Sequence, residues 1–306
     1  MAQAWDAEIE VGSELATRLI AHQFQDLAGL PVAPFSSGWD NTAFLVDGQW
    51  VFRFPRRHCA IPLLACEMRA LPSLARMLPL AVPAPVFTGQ PESAYPHPFT
   101  GYRLIPGRTA CRAHLDDAAR RALAGPLAVF LRALHAIPTA LATELGIPAD
   151  TIRRLDVAHR GPRAIENITG MVARGDASSA QAASLRDILA KAADCRSVGT
   201  TTLVHGDLYV RHLVVDDDGR LHGIIDWGDC HRGDAAMDLG IVFAVLTPEA
   251  RQDFFAVYGP ISDDTRRLAR FRAMVHLGYL SGFAHDIGDQ ELIREIRREV
   301  GLLVAE

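Results

Sequence analysis

No stretch of this 306-residue chain approaches the ~20 consecutive apolar residues that a membrane helix requires, so no membrane role is expected. Its polar start, MAQAWDAEIE, lacks the basic-then-apolar plan of a secretory leader, and a cytoplasmic setting is expected. Cysteine is sparse: Cys59, Cys66, Cys111, Cys195 and Cys230 contain no CxxC pair, and their odd number and irregular spacing argue against a disulfide framework. They read as reduced packing residues. An excess of positive charge is also missing. A net charge of −5 and a pI near 6.2 argue against a broad nucleic-acid surface. Repeats and low-complexity tracts are not evident. Twelve histidines invite a zinc site, yet His205, His212, His222 and His231 show no HExxH spacing and have no cysteine-rich partner motif. What remains is a chain that is 49% hydrophobic with a mean hydropathy of +0.09, able to bury a large core and long enough for two lobes.

The chemistry concentrates between Leu203 and Leu239, LVHGDLYVRHLVVDDDGRLHGIIDWGDCHRGDAAMDL. Leu203 and Val204 read as the end of a short strand and His205 to Arg211 as a loop. Leu213 to Val215 and Leu221 to Ile225 read as two apolar strands. Asp216, Asp217, Asp218, Gly219 and Arg220 supply turn chemistry between them, so the segment should close as a hairpin. Closure carries Asp207, before the first strand, and Asp226, after the second, to the same end. His212, five positions after Asp207, stands where loop becomes strand. Two carboxylates and a spare ligand suit metal-assisted phosphoryl transfer, which demands positioning and charge neutralisation more than covalent chemistry. In that reading Asp207 accepts or orients the proton of an attacking hydroxyl, while Asp226 and His212 hold a divalent cation against a nucleotide's phosphates. The alternative is that Asp207 and Asp226 merely cap neighbouring elements. For the Asp216 to Asp218 triplet a solvated turn is the whole reading.

HGDLYVRH followed by IIDWGD and GDAAMDL resembles the aminoglycoside and macrolide phosphotransferase family, whose fold is similar to that of the protein kinases. The resemblance implies an α+β, bilobal, protein-kinase-like fold. It has a small antiparallel-sheet N-lobe over residues 1–105 and a larger, mostly helical C-lobe over residues 106–306. It implies Asp207 as the catalytic Asp and Asp226 as the main magnesium ligand. His212 stands where the family more often has Asn, although branches acting on macrolides and on the 2'' hydroxyl of aminoglycosides are similar to this chain in using His. A neutral imidazole can replace an amide oxygen as a ligand. His205 is expected to brace the loop by hydrogen bonds. Asp238 resembles the family acid that tethers the catalytic loop, with a capping or exposed role as its competitor. Asp234, before the same helical run, reads as a cap.

Upstream, SSGWDNTAFLVDGQWVFRFPRR reads as a polar turn, Ser36 to Asn41, then strands Thr42 to Val46 and Gln49 to Phe54 joined at Asp47 and Gly48. Kinase-like folds lay a loop over the nucleotide phosphates at that turn, and Ser36 and Ser37 offer donors, although Gly38 is the one glycine present. Arg53 stands where the kinase-like fold has a phosphate-binding Lys, and Glu67, fourteen residues on, suits its partner acid. Arginine keeps its charge and offers a planar fork, but it is not equivalent to lysine. A solvated helix face beside Arg69 is the other reading of Glu67. The helix Ile61 to Met77 should kink or split at Pro72. A strand within VPAPVFTG follows, then one in Pro98 to Gly107 that ends at a Pro-Gly break. By resemblance, backbone groups around Arg103, Leu104 and Ile105 meet the nucleotide base; a plain loop is the alternative.

Beyond Gly107 the 3–4 spacing of apolar residues predicts a helix over Asp116 to His135 and further helices at Thr151 to Leu155, Gly161 to Ala173, Ser179 to Asp194, Ala235 to Leu246, Pro248 to Tyr258, Asp263 to Asp286 and Gln290 to Val304. The expectation for function is transfer of the γ-phosphoryl group of ATP or GTP, with Mg2+, to a hydroxyl of a small molecule. Resemblance favours an antibiotic, aminoglycoside or macrolide. A metabolic amino alcohol or sugar is the alternative acceptor, and a catalytically inactive nucleotide-binding regulator the alternative class. Asp229, Asp286, Asp289 and Glu291 could line an acidic acceptor cleft but read better as solvated helix ends. Oligomeric state is not legible.

Overall fold

A computed structural model of the protein describes residues 7–305, so most of the polar start read above lies outside the described residues. The chain divides into two compact units, one running to Pro106 and taking in Asp226–Asp229, the other formed by Gly107–Ile225 and the chain from Cys230 onward.

The first unit holds helix α1 (Ser13–Gln23), strands β1 (Val32–Ser37), β2 (Asn41–Val46) and β3 (Trp50–Pro55), helix α2 (Ala60–Leu74), and strands β4 (Phe87–Gly89) and β5 (Phe99–Arg103). The strands form one antiparallel sheet in the order β1-β2-β3-β5-β4. Alternation in β2 and β3 sends Phe44, Phe52 and Phe54 to one face, where Tyr95, Phe99 and the α1 residues Leu19 and Ile20 bury them. The β2–β3 turn is the Asp47-Gly48 pair, both at positive φ, with Gln49 N–H donating to Val46 C=O at 3.0 Å.

Two local expectations are corrected here. The polar turn begins later than Ser36, because β1 pairs with β2 as far as Ser37↔Thr42 and the chain turns only at Gly38, whose N–H donates to Asn41 C=O. Helix α2 stays in one piece, since Pro72 falls in its last turn and the helix closes at Leu74, where little ladder is left to break.

The second unit contains β6 (Arg108–Thr109), α3 (Asp117–His135), α4 (Thr139–Glu144), α5 (Val157–Arg174), α6 (Ser179–Ala192), β7 (Thr202–Val204), β8 (Leu213–Val215), β9 (Leu221–Ile224), β10 (His231–Gly233), α7 (Ala236–Val245), α8 (Pro248–Tyr258), α9 (Asp263–Asp286) and α10 (Gln290–Val304). Helix α9 is the central post, with α5, α6, α7 and α10 packed on it. Strand order is β6-β8-β9 in one small sheet and β10-β7 in another. No helix forms over Thr151 to Leu155: the Asp150 carboxylate accepts from Ile152 N–H and Arg154 N–H, and Arg153 sits at φ 56. A side chain that bonds its own downstream backbone competes with the helix ladder, and here it wins. All five cysteines are free, and Cys66, Cys111 and Cys230 are buried. Among the described residues no helix is long and apolar enough to cross a membrane.

Candidate active site

Val204 ends β7, and the next two backbone N–H groups, those of His205 and Gly206, donate to the two oxygens of Asp238 at 2.8 and 2.9 Å. Asp238 lies in the first turn of α7 with no exposed surface, and His135 Nε2 stands 3.2 Å from its Oδ2. Burial opposes its charge, but the His135 hydrogen bond and the loop N–H groups outweigh burial and hold the carboxyl below the usual carboxylate range. Gly206 takes φ 87, a conformation that a side chain would strain, and so turns the loop sharply between its two anchored amides.

The fully buried His205 ring braces this loop from inside. Its Nε2 donates to Ile225 C=O at 3.0 Å, and its Nδ1 accepts from Asp207 N–H at 3.3 Å. One donor and one acceptor make a neutral ring. Burial, the largest influence, accordingly pushes His205 below its ordinary value of 6.5. A depressed folded-state value gives stabilisation that is complete above about pH 6.5 and drains away as pH falls. The melting temperature should therefore drop between pH 7 and 5 in calorimetry, and His205→Asn should flatten that drop. An Asn variant that keeps the whole slope would take His205 out of the account.

Asp207 follows, with its side chain 29% exposed. Arg272 Nη2 lies 3.4 Å and His276 Nε2 3.3 Å from Oδ1, and Oδ2 is 3.9 Å from His212 Nδ1. His212 is fixed by its own main-chain contact: Nδ1 donates to Asp207 C=O at 2.7 Å, which keeps the imidazole lone pair on Nε2 when the ring is neutral. The ring of Tyr209 lies against both His212 and His276, with centroids 4.3 and 4.8 Å away. The β8–β9 hairpin pairs Leu213 with Ile224, and Ile225 N–H donates to His212 C=O at 3.0 Å, so pairing reaches the residue before Asp226. Asp216 Oδ1 accepts from Asp218 N–H and Arg220 N–H, and the exposed Asp217 and Asp218 pair with Arg108 and Arg220. The triplet is a turn.

In the first unit Arg53, on β3, joins two carboxylates. Nη1 donates to Glu67 Oε2 at 2.9 Å and Nη2 to Asp226 Oδ1 at 2.9 Å. Arg53 and Glu67 are 8% and 4% exposed, so Glu67 is no solvated helix face. Burial lifts the Glu67 carboxyl to about 7 against the pull of Arg53. Burial likewise opposes the Arg53 charge, which Glu67 and Asp226 nevertheless hold in place. Lys191, the chain's single lysine, lies on α6, so no lysine in this unit could take the place of Arg53. Asp226 adopts φ 64 and leaves its side chain 48% exposed beside the buried Trp227. Ser36 and Ser37 are exposed at the end of β1, where Ser37 Oγ accepts from Arg56 Nη1 at 2.7 Å. Arg103 stacks its guanidinium over the Trp50 ring, Leu104 N–H donates to Gln49 C=O at 2.7 Å, and Ile105 is buried. The Leu104 N–H is thus committed to the sheet.

Asp207 and His212 therefore stand together in the second unit, with His205 and Asp238 behind them, and Arg53, Glu67 and Asp226 stand together in the first. Arg272 and His276 escaped the sequence reading. Their one local signal is a basic pair at i, i+4 within a helix otherwise read as core. Among the described residues no cluster of three or more His, Cys, Asp or Glu is gathered to hold a metal. Magnesium does not need one, because it is commonly held by one or two protein ligands, water and substrate phosphates. In the first unit Asp226 offers a half-exposed carboxylate, the hard oxygen donor that magnesium takes; in the second, His212 offers an imidazole nitrogen, a softer donor than magnesium usually takes. Asp289 caps α10 through Leu292 N–H at 3.0 Å and Glu291 pairs with Arg294, so these two acids serve helix ends.

The model of the APH phosphotransferase enzyme family matches residues 31–271. Among solved structures, APH(2")-IIia in its GDP and kanamycin complex is 25% identical over 94% of this chain and 96% of that chain, with a TM-score of 0.68. The GDP complex of wild-type aminoglycoside 2'-phosphotransferase-IIIa is 25% identical over 96% of this chain and 99% of that one, at 0.67. Macrolide 2'-phosphotransferase type I, 24% identical over 94% and 97% of the two chains, shares the fold at 0.59. Over 40 residues, 13% of each chain, the sequence is 40% identical to the uncharacterized protein YcbJ of Bacillus subtilis (strain 168). A kinase-like α+β fold and a family match over most of the length leave one conclusion: the chain belongs to the APH phosphotransferase enzyme family, small-molecule phosphotransferases that use a nucleotide donor and an alcohol group as acceptor.

Proposed function

We propose that the protein transfers the γ-phosphoryl group of GTP or ATP to a hydroxyl of an antibiotic, an aminoglycoside or a macrolide. The observation that carries this reading is the grip on the catalytic loop: both amides before Asp207 are spent on one buried carboxylate, so the Asp207 side chain is presented from a fixed backbone. A group held this way can accept the proton of an attacking hydroxyl. Asp226 and His212 would hold Mg2+, which when bound offsets the charge of the phosphates. Arg53, aimed by Glu67, supplies a further fixed positive charge for them. Relatives whose solved structures contain GDP, or GDP with kanamycin, support the nucleotide and the class of acceptor.

The test is an acceptor panel run with GTP and ATP separately and read by 31P NMR: kanamycin, gentamicin, streptomycin, a macrolide, an amino alcohol and a hexose. Phosphorylation of an antibiotic with at least one donor is expected. Transfer only to the amino alcohol or the hexose would move the protein to metabolic kinases. Nucleotide binding with no transfer to any member would make it a regulator.

A further inference from the structure

Asp207 has two neighbours that the phosphotransfer reading does not use. Arg272 and His276, one turn apart on α9, both reach Oδ1, at 3.4 and 3.3 Å. Arg272 Nη2 also donates to Gly206 C=O at 3.3 Å. The peptide groups around Gly206 are therefore held on both sides, N–H by Asp238 of α7 and C=O by Arg272 of α9. Both α9 side chains are largely buried, 12% and 13% exposed, so neither is a loose surface charge. Their reach depends on how closely α9 lies on α7. At Gly240 of α7 a Cβ would stand 3.2 Å from Ala269 C=O and 3.4 Å from Arg272 Cγ, so glycine is what permits this approach.

We propose that Arg272, assisted by His276, is a positioning residue for the catalytic carboxylate: the pair engages Oδ1 and thereby turns Oδ2 toward the acceptor hydroxyl. The asymmetry has a chemical purpose. A carboxylate free to rotate about its Cβ–Cγ bond offers either oxygen in many orientations, and a loss of placement near 1 Å can cost roughly 10²-fold in rate. Fixing one oxygen with a buried guanidinium nitrogen and an imidazole removes that freedom without touching the acceptor. Tyr209, packed on both His276 and His212, keeps the second member of the pair in place.

This inference rests on Asp207 acting as the base, and its test separates the two claims. Arg272→Ala should lower kcat roughly 10²-fold with the most active acceptor of the panel, leave the GTP or ATP dissociation constant unchanged, and recover part of its rate in millimolar guanidinium chloride. Arg272→Lys should fall between wild type and Arg272→Ala, because an ammonium keeps the charge and can donate to both acceptors as Nη2 does, but it sits on a flexible stem instead of a rigid planar group. Unchanged kcat in Arg272→Ala, or a loss confined to KM, would overturn the assignment. A crystal structure of Arg272→Ala decides the matter without turnover: Asp207 rotated from its wild-type rotamer supports the proposal, and an unmoved carboxylate refutes it even if wild-type protein phosphorylates nothing.

Discussion

Asp207→Ala should reduce kcat by roughly 10²- to 10⁴-fold, the range expected when a positioned general base is removed. The fold should survive, because the contacts that fix the loop run through main chain and through other side chains. His212 Nδ1 donates to the Asp207 carbonyl, the Asp207 N–H bonds His205, and Asp238 holds the two preceding amides. What the substitution removes is a partly exposed carboxylate and its contacts with Arg272 and His276. Nucleotide affinity should change little, since the Arg53–Glu67 and Arg53–Asp226 pairs stay whole. The measurement is a steady-state comparison with the best acceptor, alongside nucleotide titration and a melting curve. Turnover equal to wild type would strip Asp207 of its role, whereas a collapsed melting temperature would make the variant uninformative and call for Asp207→Asn, which preserves the volume.

The largest effect on stability is expected at Asp238. Replacing it with Ala strands two buried backbone donors, His205 N–H and Gly206 N–H, and leaves His135 Nε2 without its carboxylate. Each buried donor left unpaired costs about 1–3 kcal/mol, so a loss of about 3–5 kcal/mol is expected in denaturant unfolding. Asn is not a remedy. Its amide has one acceptor oxygen, and its NH2 would face the second loop N–H, so Asp238→Asn should lose at least about 1–3 kcal/mol. The pH dependence has a defined sign: with the carboxyl held below its ordinary range, its stabilisation is present above about pH 4 and disappears as acid protonates it. Both variants should lose that acid limb. An Asp238→Ala protein that unfolds with wild-type free energy would mean the loop amides find other partners.

Legibility in the sequence followed locality. Asp207, His212 and Asp226 fall within twenty residues on a loop and hairpin whose turn chemistry is written in consecutive letters, so the hairpin that carries them could be read directly. The Arg53–Glu67 contact joins a strand to a helix, and only the family resemblance pointed to it. Strand β10 was missed because three residues, His231–Gly233, carry no period, and their pairing with β7 is set by tertiary context. Thr151 to Leu155 was misread because apolar spacing ignores a side chain such as Asp150 that bonds nearby amides. Arg272 and His276 were hidden for another reason. On a long helix the same 3–4 spacing serves the core and the site alike, and which face meets the catalytic loop is decided by packing at Gly240.

Asp226–Asp229 belong to the compact unit that otherwise ends at Pro106, while the residues on either side of them belong to the other unit. On the ribosome, the amino-terminal unit must therefore wait for its last piece until the Asp207 loop and the β8–β9 hairpin have been translated. A chain cut after Pro106 would part Arg53 from the aspartate it grips, so the first unit expressed alone would lack one of its own pieces.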